Sequence, residues 1–249
     1  VFFNGAVFMP RAAGNVWSVE FTVPDSVGTA IVIDANAGFW DSVDAVAGNG
    51  DSTLAYAELN IVDGDGGGGE AAVFADANLK AAVEEALGIS DPTIAQVAVI
   101  TVLDIRNKGI TDLSGIEIAV NLDTLWLTDN QITDISVLSD LSNLTMLWLE
   151  NNNISDIAPL TTLTNMERLR LDDNQINDIS PLAGLANLQN LHLANNQITD
   201  ISVLSSLTDL WELLLAGNQI SDISSVAGLS NLSFLRLNNN EISDVSALA

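Results

Sequence analysis

Residue types able to take part in molecular recognition recur at related positions in the second half of this chain. They alternate with leucines, as in Leu125-Trp126-Leu127, so the leucines face one way and the intervening side chains the other. The residues selected for a binding role are Trp126, Trp148, Glu150, Arg168, Arg170, His192 and Arg236. Arginine and tryptophan are enriched among the residues that dominate binding energy at interfaces. The pattern therefore predicts a ligand-binding surface built from the outward-facing positions.

The two tryptophans in this set suggest two uses. Trp126 and Trp148 occupy equivalent positions, so they predict an exposed aromatic pair on neighbouring strands. Such a pair favours binding of a protein or of a glycan ring, because a soluble surface rarely exposes one without use. The alternative interpretation is that the rings stack on each other and stabilise the strands. The two interpretations are compatible.

Catalytic and metal-binding chemistry finds little support in the sequence. His192 is the only histidine and the chain has no cysteine, so a metal site would lack its usual ligands. We therefore predict that the His192 side chain is exposed to solvent. Glu150 and Asp172 could form a carboxylate pair of the kind that glycosidases use, but such pairs arise by chance in an acidic chain. There is no nucleophile elbow, P-loop or dinucleotide-binding motif. We therefore predict that the protein is not an enzyme and has no cofactor.

Two polar residue types recur once in each repeat. One is an asparagine at the bend after the strand, which can bond main-chain groups there. These asparagines are Asn130, Asn152, Asn174, Asn196, Asn218 and Asn240. The other is an aspartate before a short helical turn, predicted to cap that turn. These aspartates are Asp112, Asp134, Asp156, Asp178, Asp200, Asp222 and Asp244. Calcium bridging between the aspartates is the alternative, and it is weaker because calcium requires several oxygens at one point.

All of these positions belong to one 22-residue unit that recurs without insertion or deletion. Its core reads L-x-L-x-x-N-x-I-x-D-I. The copies begin at Leu125, Leu147, Leu169, Leu191, Leu213 and Leu235, with a weaker copy at Leu103. A fixed period of this length indicates a leucine-rich repeat solenoid. The spacing, with Asp-Ile after the strand and Pro-Leu or Val-Leu after that, resembles the repeats of internalin-type bacterial surface proteins.

The energetics of one repeat explain why the repeats must stack. About seven inward side chains contribute roughly 10–20 kcal/mol, whereas ordering 22 residues costs at least about 1 kcal/mol per residue in backbone entropy. One coil is therefore unstable alone, and stacking adds a ladder of strands and buries its two flat faces. We predict a parallel β-sheet on the concave face and short helical turns on the convex side.

The chain before the repeats divides at changes of composition. Residues 1–62 alternate like β-strands at 16–23, 30–33 and 55–62, and they resemble part of a cohesin-like or immunoglobulin-like β-sandwich that lacks some of its strands. Residues 63–72 form a glycine-rich linker. The remaining two segments are a helical region at 73–100 and about seven repeats at 101–249.

The helical region carries its own resemblance. The order D-A-N-L-K-A-A-V-E-E-A-L-G, with Asp76 or Asn78 able to begin the helix and Gly88 able to end it, is similar to the N-terminal cap of internalin-type proteins. Such a cap covers the apolar face of the first coil. No similar cap follows Leu248, so we expect that the native chain continues or that another surface covers the last coil.

The composition excludes several classes of partner. The formal net charge is −26, from 33 acidic and 7 basic residues, and this repels nucleic acids and anionic membranes. No apolar run is long enough to span a bilayer. The absence of cysteine and the acidic composition favour a bacterial extracellular protein that is secreted or displayed on the cell surface. Because the chain begins without Met, we expect a processed product or a fragment.

Two functions follow as hypotheses. The first is a recognition or adhesion module, because the internalin resemblance implies binding of a protein or glycan on the concave face. The second is a structural subunit of an extracellular filament or surface layer, assembled head to tail through the β-segment and the last repeat. Calcium is possible under either hypothesis.

Overall fold

The computed structural model describes residues 69–248 in full and, before them, the backbone of three short strands. These are β1 (Val7–Pro10), β2 (Trp17–Phe21) and β3 (Ala55–Leu59), which form an antiparallel sheet with β2 in the centre. The chain divides into two compact units between Gly69 and Glu70. The predicted strand at 30–33 and the glycines at 64–68 lie outside the described residues, and the sandwich stays a prediction.

The second unit begins with two helices, α1 (Ala77–Leu87) and α2 (Ile94–Ala98). Helix α1 starts where the Asp76 carboxylate accepts the backbone N–H groups of Asn78 and Leu79. It ends at Gly88, whose φ of 67° is in the left-handed region that favours glycine. Its apolar side is buried through Leu79, Ala82 and Val83.

The repeats form the predicted leucine-rich repeat solenoid, which is confirmed by a seven-stranded parallel sheet. Its strands are β4 (Val102–Asp104), β5 (Thr124–Trp126), β6 (Met146–Trp148), β7 (Arg168–Arg170), β8 (Asn190–His192), β9 (Glu212–Leu214) and β10 (Phe234–Arg236). Equal repeat length keeps the strands in register, so each central leucine pairs with the next, as Leu125 does with Leu147. A short 3-10 turn follows each strand. These turns are Ile116–Ile118, Ser136–Asp140, Ala158–Thr162, Ser180–Gly184, Ser202–Ser206, Ser224–Val226 and Ser246–Leu248.

The aliphatic positions form one continuous core. In the coil that begins at Leu147, both strand leucines and the following isoleucine, Ile154, are completely buried. The same positions are buried in every coil from Leu103 to Leu215. In the last described coil, Leu235, Leu237 and Ile242 are only partly buried. The inward-facing positions predicted from the period-two alternation are therefore the positions that form the core.

The asparagines after the strands tie each coil to its neighbour. Asn174 is representative: its Nδ2 donates to the carbonyls of Leu171 in its own coil (3.2 Å) and Leu149 in the preceding coil (2.9 Å). Its Oδ1 accepts the N–H of Ile154 at 2.9 Å. Because the amide is buried, it satisfies main-chain groups that water does not reach.

The aspartates that recur once in each repeat make a local contact instead. In each coil one carboxylate oxygen accepts the backbone N–H two residues later, as Asp200 does from Ser202 at 2.8 Å. From Asp134 onward that N–H belongs to the first residue of the 3-10 turn. The same bond recurs from Asp112 to Asp244. It lowers the pKa of Asp178, Asp200 and Asp222, because the backbone N–H favours the charged form.

A further row of asparagines, not anticipated from the sequence, lies before the strands. Each donates from Nδ2 to a carbonyl 23 residues earlier at 2.8–3.0 Å. Its members are Asn121, Asn143, Asn165, Asn187 and Asn231. Asp209 occupies the equivalent place in the intervening coil, and a carboxylate has no N–H to donate. The carbonyl of Ala186, which lies 23 residues before Asp209, therefore receives no hydrogen bond from this row.

We expect the substitution Asp209→Asn to stabilise the solenoid by about 1 kcal/mol, because it adds the missing hydrogen bond. Urea unfolding followed by circular dichroism measures the change. Glu241→Gln is the matched control, since it also removes one negative charge from an exposed position. Equal stabilisation by the two variants would show that charge, rather than the added bond, is responsible.

Candidate functional site

Four side chains stack in strand order across the concave face. Trp126 and Trp148 are in-register partners on β5 and β6, with ring centroids 5.2 Å apart and planes inclined by 31°. The Arg170 guanidinium carbon on β7 lies 4.2 Å from the centre of the Trp148 ring. The Arg106 guanidinium carbon, just after β4, lies 5.2 Å from the centre of the Trp126 ring. We call Arg106, Trp126, Trp148 and Arg170 the Arg–Trp stack.

The Arg–Trp stack is preorganised by its own contacts. Two cation–π contacts contribute about 0.5–1 kcal/mol each at exposed sites, and the indole pair contributes about 0.5–1.5 kcal/mol beyond its burial. The indole N–H groups of Trp126 and Trp148 are buried and have no hydrogen-bond partner among the described residues. Both rings are partly exposed, so the stack forms part of the accessible surface.

Carboxylates hold the two arginines of the stack in place. Arg106 makes a bidentate pair with Asp104, with Nη2 to Oδ2 at 2.6 Å and Nε to Oδ1 at 2.8 Å. This pairing lowers the pKa of Asp104. Arg170 Nη1 lies 3.5 Å from Glu150 Oε1, and the Thr128 hydroxyl donates to Glu150 Oε2 at 2.7 Å. Glu150 therefore positions Arg170 above the Trp148 ring.

His192 belongs to a second cluster on the next strands, and the expectation that it is solvent-exposed is wrong. The residue is only 8% exposed. Its Nδ1 lies 3.7 Å from Asp172 Oδ2 and its Nε2 lies 3.5 Å from Glu212 Oε2. These two carboxylates flank the imidazole from the two neighbouring coils, which leaves little of it accessible.

Asp172 is the buried acid of this second cluster. Burial raises its pKa, and the nearby Glu150 raises it further. The Ala194 N–H, which Asp172 Oδ1 accepts at 2.8 Å, and His192 both oppose that rise. The net result is a pKa above the ordinary value.

The other predicted site residues lie apart from these clusters. Arg168 is exposed at the start of β7. Arg236 is on β10, three strands from Arg170, with its guanidinium carbon 5.5 Å from the centre of the Phe234 ring. The structure thus brings together Trp126, Trp148, Glu150 and Arg170, and it places His192 beside them and Arg236 further along the sheet.

Four neighbours of the predicted residues were not selected from the sequence. They are Arg106, Asp172, Asn190 and Glu212, all at outward-facing positions of the repeat. Their contacts run between adjacent strands, for example from Asn190 Nδ2 to Glu212 Oε2 at 2.5 Å. A search of the outward-facing repeat positions for charged, amide or aromatic residues would have found all four.

Neither a metal cluster nor a membrane-spanning helix appears in the described part of the chain. Within residues 69–248 no group of three or more His, Asp or Glu side chains is arranged to hold a metal ion. No described helix is long and apolar enough to cross a bilayer. Calcium binding stays a prediction.

Comparisons with known proteins identify the family. A family model described as "Leucine Rich repeats (2 copies)" matches residues 142–184 and 212–249, and "Leucine rich repeat" matches 164–220. No curated protein sequence gives a significant match. Among solved structures, internalin C2 of Listeria monocytogenes is 41% identical, with 71% of this chain and 90% of that chain covered and a TM-score of 0.59.

Two further solved structures are similar. An internalin (inlF) of Listeria monocytogenes is 30% identical, with 71% of this chain and 73% of that chain covered and a TM-score of 0.48. A leucine-rich repeat protein of Leptospira interrogans is 24% identical, with 60% of this chain and 46% of that chain covered and a TM-score of 0.50. The fold, the repeat sequence and the identity to internalin C2 agree: the chain belongs to the internalin-type bacterial leucine-rich repeat proteins.

Proposed function

We propose that this protein is a bacterial recognition module that binds a protein partner on its concave face, centred on the Arg–Trp stack. The observation that carries the proposal is the stack itself, with two indoles and two guanidinium groups in contact across four strands. Tryptophan and arginine are the commonest hot-spot residues. Leucine-rich repeat proteins of this family are typically binding modules rather than enzymes, which supports the proposal.

The geometry of the stack favours a protein over a glycan. Trp126 lies between Arg106 and Trp148, and Trp148 lies between Trp126 and Arg170. A sugar ring stacks on the face of an indole, and these faces are already in contact with neighbouring side chains. The ring edges and the guanidinium N–H groups are left for a ligand, and they suit the carbonyls, carboxylates and apolar side chains of a protein.

The charge of the concave face also differs from that of the whole molecule. The net charge of the chain is −26. The outward positions of the strands carry four arginines, which are Arg106, Arg168, Arg170 and Arg236. They also carry four carboxylates, which are Asp104, Glu150, Asp172 and Glu212. This face is therefore close to neutral, and a partner docks there without the repulsion that an anionic surface meets elsewhere.

We also propose that the protein is secreted or displayed on the cell surface. The family supports this localisation, as do the absence of cysteine and the large negative charge. Assembly into a head-to-tail filament stays the alternative prediction. Light scattering of the full chain at rising concentration tests it, because an increase in particle mass supports a filament and a constant monomer mass contradicts one.

The test of the proposed function is a binding screen with matched variants. The full chain is applied to an array of purified extracellular protein domains and to a glycan array. We expect protein hits that weaken about 30-fold or more in Trp126→Ala/Trp148→Ala, because each hot-spot residue contributes about 2 kcal/mol or more. The control is Thr133→Ala/Ser155→Ala, which changes two exposed residues of the same two coils outside the strands. The proposal would be overturned if binding were found only on the glycan array. It would also be overturned if protein ligands bound the wild type and Trp126→Ala/Trp148→Ala with equal affinity.

A further inference from the structure

The outward positions of the strands carry four carboxylates, and each of them accepts a hydrogen bond from a neighbouring group. Two are paired with arginine, as Asp104 is with Arg106 at 2.6 Å. The other two accept an N–H, as Glu212 does from Asn190 Nδ2 at 2.5 Å. The full set is Asp104, Glu150, Asp172 and Glu212. The acids of the concave face are therefore already in use within the protein.

The four arginines of the same face divide into two pairs. Two of them have carboxylate partners. Arg168 and Arg236 are exposed, and neither forms an ion pair with any residue that the structure describes. The residues in register with Arg168 are Met146 and Asn190, and Leu214 is in register with Arg236. Two guanidinium groups are therefore charged and unpaired on a face whose carboxylates are all in use.

Docking of a partner changes the surroundings of these two groups. In the free protein, water solvates the guanidinium, which has five N–H donors and no acceptor. A partner that covers the face removes this water, and an ion that loses water without gaining a counter-charge carries a large free-energy cost. A carboxylate offsets that cost, because it supplies the opposite charge and accepts two parallel N–H groups. A partner of this face therefore needs acidic side chains where it meets Arg168 and Arg236.

The two arginines are too far apart to share one carboxylate. Strands β7 and β10 are three steps apart in the sheet, which is about 14 Å at about 4.8 Å per step. Arg168 is the first residue of β7 and Arg236 is the last residue of β10, which adds an offset of about 7 Å along the strands. Their backbones are therefore roughly 16 Å apart. Two acidic residues, about five positions apart in an extended segment or about eleven in a helix, meet both arginines.

The charge and the apolar neighbours of the two arginines limit the kind of partner. The net charge of −26 repels a uniformly anionic polymer at long range. Met146 is partly exposed beside Arg168, and Phe234 is 42% exposed with its ring beside Arg236. Each guanidinium thus has an apolar surface next to it. These surroundings favour a protein segment with a few acidic residues among apolar and neutral ones.

We propose that the protein partner of the concave face presents acidic side chains to Arg168 and Arg236, and that these two arginines determine its specificity. The inference rests on the proposed function, because it concerns the ligand of the same face. It is nevertheless separable from it. The proposed function depends on the Arg–Trp stack, whereas this inference depends on two arginines outside the stack.

A phage-displayed library of random sixteen-residue peptides supplies the probe. Such a peptide spans about 24 Å as a helix and about 50 Å when extended, so either form reaches both arginines. The library is selected in parallel against the immobilised full chain and against Arg168→Gln/Arg236→Gln. We expect Asp and Glu to be at least about twice as frequent among the peptides that only the wild type enriches, because those peptides pair with the two guanidinium groups.

The affinity of one synthesised peptide from the wild-type pool is then measured by calorimetry. Arg168→Gln and Arg236→Gln should each weaken binding about tenfold. Lys80→Gln removes the same charge from helix α1 and should change the affinity less than about twofold. Arg168→Glu should abolish binding of this peptide, and replacement of one of the peptide's acidic residues by Lys should restore the affinity to within about fivefold. A loss of packing alone would not be rescued in this way.

The inference would be overturned by selected peptides without acidic enrichment, by equal affinities of the wild type and both arginine variants, or by the absence of any peptide binding. Trp126→Ala/Trp148→Ala separates it from the proposed function. Peptides that require the tryptophans but not the arginines contradict this inference and leave the proposed function intact. Peptides that require the arginines but not the tryptophans support this inference and contradict the central role of the Arg–Trp stack. Melting curves of each variant verify that it is folded.

Discussion

Replacement of Asn174 by alanine should lower the free energy of unfolding by about 3–5 kcal/mol. The amide donates to the carbonyls of Leu149 and Leu171 and accepts the N–H of Ile154. Its removal leaves these three main-chain groups unpaired in the interior, at a cost of about 1–3 kcal/mol each, and water entry recovers part of that cost. Because Asn174 joins two coils in the middle of the array, the loss also weakens coupling between the coils on either side.

Chemical unfolding by urea, followed by circular dichroism, measures this effect. The control is Asn177→Ala in the same coil, whose side chain is exposed, and we expect a change within about 0.5 kcal/mol. A loss below about 1 kcal/mol for Asn174→Ala would contradict the view that the asparagine row holds the coils together.

The second large effect is expected at Asp76, which joins the helical segment to the first coil. One carboxylate oxygen accepts the N–H groups of Asn78 (2.7 Å) and Leu79 (3.2 Å) and begins α1. The other accepts the N–H and hydroxyl of Thr111 at 2.8 and 2.9 Å and the N–H of Asp112 at 3.2 Å. Asp76→Ala removes a helix cap and the bonds to the first coil, so we expect a loss of about 2–4 kcal/mol.

The pKa of Asp76 gives this prediction a pH dependence. Burial alone would raise the pKa, but the donors from Thr111, Asn78 and Asp112 outweigh burial and lower it from 3.8 to about 2. Since the folded-state pKa is below the unfolded one, the stabilisation is fully present above about pH 4 and is lost as the pH falls through about 2. The stability difference between the wild type and Asp76→Asn should therefore shrink over this window.

Thermal and urea unfolding at several pH values between 2 and 7 test the Asp76 prediction. Asp140→Ala serves as the control, because it removes one carboxylate from the convex turn Ser136–Asp140. A difference between wild type and Asp76→Asn that stays constant from pH 7 to pH 2 would contradict the role of the ionised carboxylate.

The repeats were predictable because period and register are properties of the sequence. A constant spacing of 22 residues places equivalent residues on neighbouring strands, so the pairing of Trp126 with Trp148 follows directly. The inward leucines and the asparagines after the strands are recognisable for the same reason. Identical residues at identical places in every coil leave few arrangements that bury all of them.

The burial of individual polar side chains was much less predictable. The burial of His192 depends on Asp172 and Glu212, which cover it from the coils on either side, and no pattern within its own repeat indicates this. The position of Arg106 over Trp126 is similar, because Arg106 lies beyond the end of its strand and a flexible side chain brings it back. The sequence predicts the position of a residue within its repeat, whereas the rotamers of its neighbours decide how exposed its side chain is.

The most direct test of the recognition role is the affinity of the strongest protein ligand for the wild-type chain and for Trp126→Ala/Trp148→Ala/Arg170→Ala, measured by surface plasmon resonance. Thr133→Ala/Ser155→Ala provides the matched comparison. We predict at least about 100-fold weaker binding for the triple variant, mainly through faster dissociation, and an unchanged affinity for the control. Equal affinity of the wild type and the triple variant, with both folded, would contradict the assignment of the concave Arg–Trp stack as the binding site.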